Sequence, residues 1–199
     1  MKVTQVAEVG TGSLVYEEAG QTRGEGTRIG TEVYIRVATS HDGEKLRGMF
    51  SRASSETIRW RFHIPYPEVP EWMMALMLDA DHHDREALVA VAEERIVGHA
   101  MYARLEDGAE AEMAIIVEDG WQSKGVGKAL LSELEQRARL SGIETFVGEV
   151  LTENRRMLGL AATFAGTGST MEDGVYHVRM PLRTLEPIAS AARTFERAA

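Results

Sequence analysis

Residues 111–150, AEMAIIVEDGWQSKGVGKALLSELEQRARLSGIETFVGEV, decide the fold. AEMAIIV is a short apolar run with Glu112 set among small and branched residues, and it reads as a strand. WQSKGVGK puts Gly125 and Gly127 at the start of a helical pattern. Val126, Leu130, Leu131, Leu134 and Ala138 recur at offsets of four, five, eight and twelve, which makes one apolar stripe on that helix. Gly142 stands where a left-handed cap residue is expected. TFVGEV then resumes as a strand. The unit is βαβ, with glycines where strand becomes helix.

That junction has specific physics. The first amides of a helix lack intrahelical partners, and the macrodipole adds positive character there. Glycines let a ligand approach the backbone, so a phosphate or pyrophosphate is the natural guest. A P-loop needs Gly-x-x-x-x-Gly-Lys-Ser/Thr. Gly120 and Gly125 have that spacing, but Val126 and Gly127 follow. A dinucleotide fingerprint needs a third glycine where Leu130 stands, although Glu149 lies at a plausible distance for a ribose contact. Two glycines that merely ease helix packing are the bland alternative.

The chain has 199 residues, enough for one domain with a sizeable core. Lys plus Arg is 22 against 31 for Asp plus Glu, a formal net charge of −9. This acidic balance argues against nucleic acid as the main partner, and it suits solubility at least as well as a cationic substrate. There is no cysteine, which excludes disulfides and thiolate chemistry. No apolar run is long enough for a membrane span, and the N-terminus lacks an apolar signal core, so a cytoplasmic protein is expected.

Residues 1–26 are glycine-rich and read as an arm or a small hairpin, VTQVAEV pairing with SLVYEE. TEVYIRVAT alternates as the first clear strand. Leu46, Met49, Phe50 and Ala53 mark a short amphipathic helix. From Ile58 to Asp79 the chain carries Trp60 and Trp72 with Pro65, Pro67 and Pro70, which block regular structure through Pro70, and Trp72, Met73, Met74, Leu76 and Met77 then form a second helix. This proline-aromatic stretch is either a substrate-binding wall or core packing under a long loop. Residues 79–84, DADHHD, look like metal ligands but have no second cluster at ligand spacing. They read as a solvated turn, and no metal is expected. His41, His63, His99 and His177 are isolated. EALVAVAEERIVGHAMYARL reads as two strands joined near Glu93 and Glu94. Residues 152–166 carry a helix, and GVYHVRMPL is the final strand. Residues 184–199 read as a terminal helix that can dock on the domain, pair two copies in a homodimer, or fray.

Gln122-Ser123-Lys124-Gly125-Val126-Gly127 resembles the Gln/Arg-x-x-Gly-x-Gly/Ala signature of the GNAT N-acetyltransferases. The order of elements over about residues 31–182 is similar too. The IRWRFHIPYPEVPEW, AEMAIIVEDGWQSKGVG and EVLTENRRML stretches resemble bacterial protein-lysine acetyltransferases that act on acyl-CoA synthetases. The resemblance implies an α/β (α+β) fold, a mixed central sheet flanked by helices, with residues 27–183 as the acetyltransferase domain and 184–199 as a tail. It implies acetyl-CoA as cosubstrate and an amine acceptor, a protein lysine or a small molecule. A non-catalytic CoA-binding sensor is the third class.

By that resemblance Ile115, Ile116, Val117, Gln122, Ser123, Lys124, Gly125, Val126, Gly127 and Lys128 line the pantetheine and pyrophosphate. A backbone amide near Ile116 or Val117 meets the thioester oxygen as charge develops on it. Asn154 either contacts the cofactor or caps a helix. Glu112 matches the proposed general base. It shares a face with Ala114 and Ile116, an apolar setting would raise its pKa, and Glu110 is its rival. The tyrosine that many members use as an acid is replaced by Ala161, which leaves Tyr102 and Tyr176 as substitutes.

Overall fold

The computed structural model describes residues 13–18, 21–29, 33–106 and 108–182. The expected terminal helix and the VTQVAEV strand lie outside the described residues. The chain runs β1 (Ser13–Glu18), β2 (Gln21–Ile29), β3 (Val33–Val37), α1 (Gly43–Arg52), α2 (Ser55–Phe62), α3 (Glu71–Leu78), β4 (Arg85–Ala92), β5 (Arg95–Arg104) and β6 (Glu110–Val117). It continues through α4 (Val126–Leu140), β7 (Thr145–Leu151), α5 (Arg155–Ala161), β8 (Gly168–Glu172) and β9 (Val175–Pro181). The strands form one sheet in the order β1-β2-β3-β4-β5-β6-β7-β9-β8. Every neighbouring pair is antiparallel except β6 and β7. The fold is the expected mixed sheet flanked by helices.

Helices cover both faces of the central strands, so β4 and β5 are buried along most of their length. On one face Leu88, Ala90, Val97, Ala100 and Met113 pack against α4. On the other, Val89, Val91, Ile96 and Ile116 meet Leu46, Met49, Ile58, Met74 and Met77 from α1 to α3. The expected stripe of α4 is the buried one: Leu130, Leu131 and Leu134 have no exposed surface. Each such leucine contributes roughly 1.5–3 kcal/mol over an exposed one. α4 lies close to β5 because residue 98 is glycine; a Cβ there would stand 2.9 Å from Leu130 Cδ1. Gly142 takes the left-handed conformation, φ 76°, and the Ile143 amide bonds back to Ala138 O at 2.9 Å.

His99 is fully buried on the α1–α3 face, where its Nε2 lies 2.9 Å from Met77 O and ties α3 to β5. Burial pulls its pKa down to about 4 against the opposing pull of the Met77 carbonyl, so the ring is neutral at pH 7 with Nε2 as donor.

Several elements differ from the sequence reading in whole or in part. SLVYEE pairs with Gln21–Ile29, and β2 pairs with β3, so these strands extend the same sheet. α2 forms where no helix was expected, because Ile58, Trp60 and Phe62 alternate in a strand-like way. Ser54 starts it by accepting from the Thr57 amide at 3.1 Å. α3 buries Met74 and Met77 but leaves Trp72 and Leu76 exposed. β8 was also missed: all five of its residues are exposed, so it has no apolar period to read. It pairs with β9 across Asp173 and Gly174, both at positive φ.

Candidate active site

The site begins where the sheet splits. β6 and β7 pair only at Glu110–Thr145, Ala111–Phe146 and Glu112–Val147. Beyond that β7 continues with β9, while β6 stays with β5 as far as Val117. The edge of β6 from Met113 onward therefore faces a fork, not a strand. Gly148 stands at the fork, where a Cβ would lie 3.3 Å from Met113 O. A cavity of about 650 Å³ fills the opening.

The glycine loop closes one end of it. Ser123 and Gly125 both have positive φ, 58° and 87°. Gly125 is the N-cap of α4, and Ala129 is bonded back to Gly125 O at 3.0 Å. The amides of Val126, Gly127 and Lys128 precede that first bond and have no intrahelical acceptor. The loop is held from α2. Asp119 accepts from the Ser54 amide and hydroxyl, both at 2.8 Å, and from Thr57 Oγ1 at 2.9 Å. Burial raises the Asp119 carboxyl's pKa, but these donors more than offset that and leave it below the ordinary value. Gln122 Nε2 donates to Thr57 Oγ1 and to Val117 O, each at 3.0 Å. Asp119→Ala should therefore lower the melting temperature by roughly 2–6 °C, since about 1–2 kcal/mol of hydrogen bonding is lost at a largely exposed site. Thermal unfolding followed by circular dichroism measures this, and an unchanged melting curve would show the pin to be idle.

The other wall is α2. Trp60, Arg61, Phe62 and His63 line the cavity, and three contacts carry α2 across to the β7–α5 side. Arg59 pairs with Glu153 at 2.6 Å, the Arg156 guanidinium lies 5.8 Å from the centre of the Trp60 ring, and His63 Nδ1 lies 3.6 Å from Glu149. Trp60, Arg61, Phe62 and His63 belong to the stretch from 58 to 79 that reads in the sequence as either a substrate-binding wall or core packing, although none was singled out there as a site residue. The Ser54 cap was the available signal for their helix.

Glu112 lines the cavity on the α2 face, the side that carries Ile116. It is solvent-exposed, not enclosed in the apolar setting expected of it. Its rival Glu110 is a bidentate partner of Arg179, whose hydrogen bonds hold the Glu110 carboxyl below the usual range, and it does not line the cavity. Ile115, Ile116 and Val117 line the cavity along β6; Gln122, Ser123, Gly125, Gly127 and Lys128 line it from the loop. Two expected residues do not. Val126 points into the core at 1% exposure, and Lys124 holds its ammonium 5.1 Å from the centre of the Trp121 ring. Asn154 caps α5, its Oδ1 accepting from the Met157 amide at 3.0 Å, and the residue also lines the cavity. Ala161 is buried outside the cavity. Neither tyrosine replaces the missing one: Tyr102 is buried with its hydroxyl on His83 O and Ser141 Oγ, and Tyr176 does not line the cavity.

The DADHHD turn is held by Asp81, whose Oδ1 accepts from the amides of His83, Asp84 and Arg85. Among the described residues no group of three or more His, Asp or Glu is placed to hold a metal ion, and no helix is long and apolar enough to cross a membrane.

Chemically, this is a fork with a free strand edge, an anion-binding helix start at one end and a carboxylate near the other. It fits an extended thioester ligand with a pyrophosphate: amides of the strand edge for its chain, helix amides for its phosphates.

Comparison with known families matches residues 52–166 to the Acetyltransferase (GNAT) family. Acetyltransferase PA5475 of Pseudomonas aeruginosa is 27% identical over 148 residues, 72% of this chain and 80% of that protein. The crystal structure of the GNAT domain of S. lividans PAT is 29% identical, with a TM-score of 0.71 over 82% of this chain and 92% of that one. The yncA acetyltransferase from Salmonella typhimurium, solved with acetyl-CoA, shares the fold at 21% identity and a TM-score of 0.60, over 81% of this chain and 99% of its own.

Proposed function

The chain belongs to the GNAT acetyltransferase family, whose members use acetyl-CoA, and from that premise we propose that it acetylates a protein lysine with Glu112 as general base. The observation that carries this is that Glu112 and the glycine loop line one cavity, from either end of the same strand. Glu149 lines it as well, so two carboxylates face an incoming cation. A lysine, with its ammonium on a four-carbon stem, can reach into such a fork.

The thioester supplies an activated acetyl group. The acceptor must be neutral to attack it, and with a pKa of about 10.4 only about one free lysine in 10³ to 10⁴ is neutral at pH 7. Glu112 takes the ammonium proton as the amine engages. The amine nitrogen then bonds the acetyl carbon, the carbon–sulfur bond breaks with its electron pair leaving on sulfur, and the second proton, shed by the nitrogen as the amide forms, goes to the departing thiolate or to solvent. A backbone amide near Ile116 or Val117 is the proposed donor to the acetyl oxygen. Thiols near pKa 8.5 leave as thiolates without difficulty, so the alanine at position 161 is compatible with turnover. In place of side-chain charge from Lys124, the loop amides and Lys128 hold the pyrophosphate.

The test is thiol release from acetyl-CoA against acyl-CoA synthetases, lysine peptides and small amines, with mass spectrometry of the acceptor. Acetylated lysine in a protein is the expected result. Turnover on small amines alone moves the acceptor to that class, and acetyl-CoA binding without any turnover makes the protein a sensor.

A further inference from the structure

We propose that Arg61 binds a carboxylate carried by the acceptor, so that the substrate class is an amine with an acid group a few bonds away. This rests on the reading of Glu112 as the amine-binding end of the cavity.

Arg61 is on the last turn of α2 and lines the cavity. Its Nε is sealed from solvent and has no hydrogen-bond partner. Its remaining contacts are weak: Nη2 lies 3.7 Å from Met101 Sδ, and the guanidinium carbon 4.9 Å from the centre of the Phe62 ring. Among the described residues no carboxylate lies within ion-pair distance of it. Neighbouring arginines contrast with this. Arg36 holds Asp42 at 2.6 Å, Arg52 holds Glu118 at 2.9 Å, and Arg59 holds Glu153 at 2.6 Å. Trp60 Nε1, one residue away, is also sealed without an acceptor.

Arg61 is half-buried, and a cation whose Nε is sealed from water without an acceptor is costly, so proteins normally pair it. Burial lowers the Arg61 pKa to about 10, with the Glu112 carboxylate acting in the opposite sense, so the guanidinium is still charged at pH 7. Its planar fork matches a carboxylate through two parallel hydrogen bonds. The missing partner is therefore a ligand's.

Register locates that ligand. Met101, which Arg61 touches, is the cross-strand partner of Ala114. Ala114 is two residues from Glu112 on the same face, roughly 7 Å along a strand. Allowing about 2.9 Å for a hydrogen bond at each end leaves only about 1 Å, so the amine and the carboxylate sit close together on the acceptor with no long spacer between them. That spacing is met by an α-amino acid. It is also met by an acidic side chain folded back beside a lysine amine. Val117, where the strand gives way to the loop, is three residues beyond Ala114, roughly 10 Å along β6, and acetyl-CoA affinity in an Arg61 variant separates a cofactor phosphate from an acceptor carboxylate.

Matched acceptors test this. Wild type and Arg61→Gln are compared on acids and their neutral amides: a free amino acid against its carboxamide, and a lysine peptide with a neighbouring Asp against one with Asn. Wild type should prefer the acid at least tenfold in kcat/KM. Arg61→Gln should raise KM for the acid about 10- to 100-fold, change the amide less than about threefold, and leave acetyl-CoA affinity unchanged. Arg61→Lys should recover part of the preference. The arm that shows the effect identifies the source of the carboxylate. Equal use of acid and amide by wild type overturns the proposal, as does an equal loss on both in the variant or a loss of acetyl-CoA affinity. The wild-type comparison decides the matter if Arg61→Gln fails to fold. If no amine is acetylated at all, the proposed function has failed. Calorimetric binding of N-acetylglutamate and its diamide to wild type then judges Arg61 independently.

Discussion

Glu112→Gln is expected to slow acetyl transfer by about 10² to 10⁴-fold at pH 7 while leaving acetyl-CoA affinity unchanged. The substitution keeps the shape and removes only the ability to take a proton. Glu112 is exposed to the cavity and has no structural hydrogen bond, so folding should not change. The variant still acts on the small fraction of amine that is already neutral. Its rate should therefore climb about tenfold per pH unit, towards the amine's own pKa of about 10.4, and approach wild type in alkali. Steady-state rates from pH 6 to 10 measure this. Glu149→Gln is the control, because Glu149 lines the same cavity with His63 and His177 as its neighbours, at 3.6 and 3.4 Å. A wild-type rate in Glu112→Gln together with a large loss in Glu149→Gln would transfer the role.

Gly125→Glu should weaken acetyl-CoA binding by 100-fold or more. Two effects combine. Gly125 has φ 87°, which costs an L-residue about 1–2 kcal/mol. The new carboxylate also sits at the helix start, against a pyrophosphate that the amides of Val126, Gly127 and Lys128 are proposed to hold. A Cβ at position 125 would meet nothing within 4 Å, so packing contributes little and the protein should fold. Gly125→Ala separates the causes: it carries the strain without the charge and should lose about tenfold at most. Isothermal titration with acetyl-CoA measures both. Retained affinity in Gly125→Glu would remove the pyrophosphate from this loop.

Residues 111–150 were legible because their physics is local. The stripe of α4 follows from helical period alone, and Leu130, Leu131, Leu134 and Ala138 are buried as it requires. Gly142 was readable as a cap because only a left-handed turn ends that helix before Ile143. The Glu93–Glu94 turn between β4 and β5 was readable from the apolar runs on either side. α2 was not, since its apolar residues alternate like a strand, and the bond that docks it on the loop, Thr57 to Asp119, spans 62 residues. β8 failed for a related reason. An exposed edge strand has no hydrophobic period, and its only support is its pairing with β9.

The site divides along the same line. The amino-acid sequence alone determined the glycine loop, the apolar face of α4, and a glutamate on the strand leading to that loop, because each is written within a few residues of itself. Tertiary structure decided which residues share the cavity. It took Lys124 onto Trp121, sent Val126 into the core, paired Glu110 with Arg179, and buried Tyr102 against Ser141. It also brought Arg61 beside Glu112 with its Nε unpartnered. The two are 51 positions apart in the sequence, and whether a charge is paired depends on what the rest of the chain packs against it.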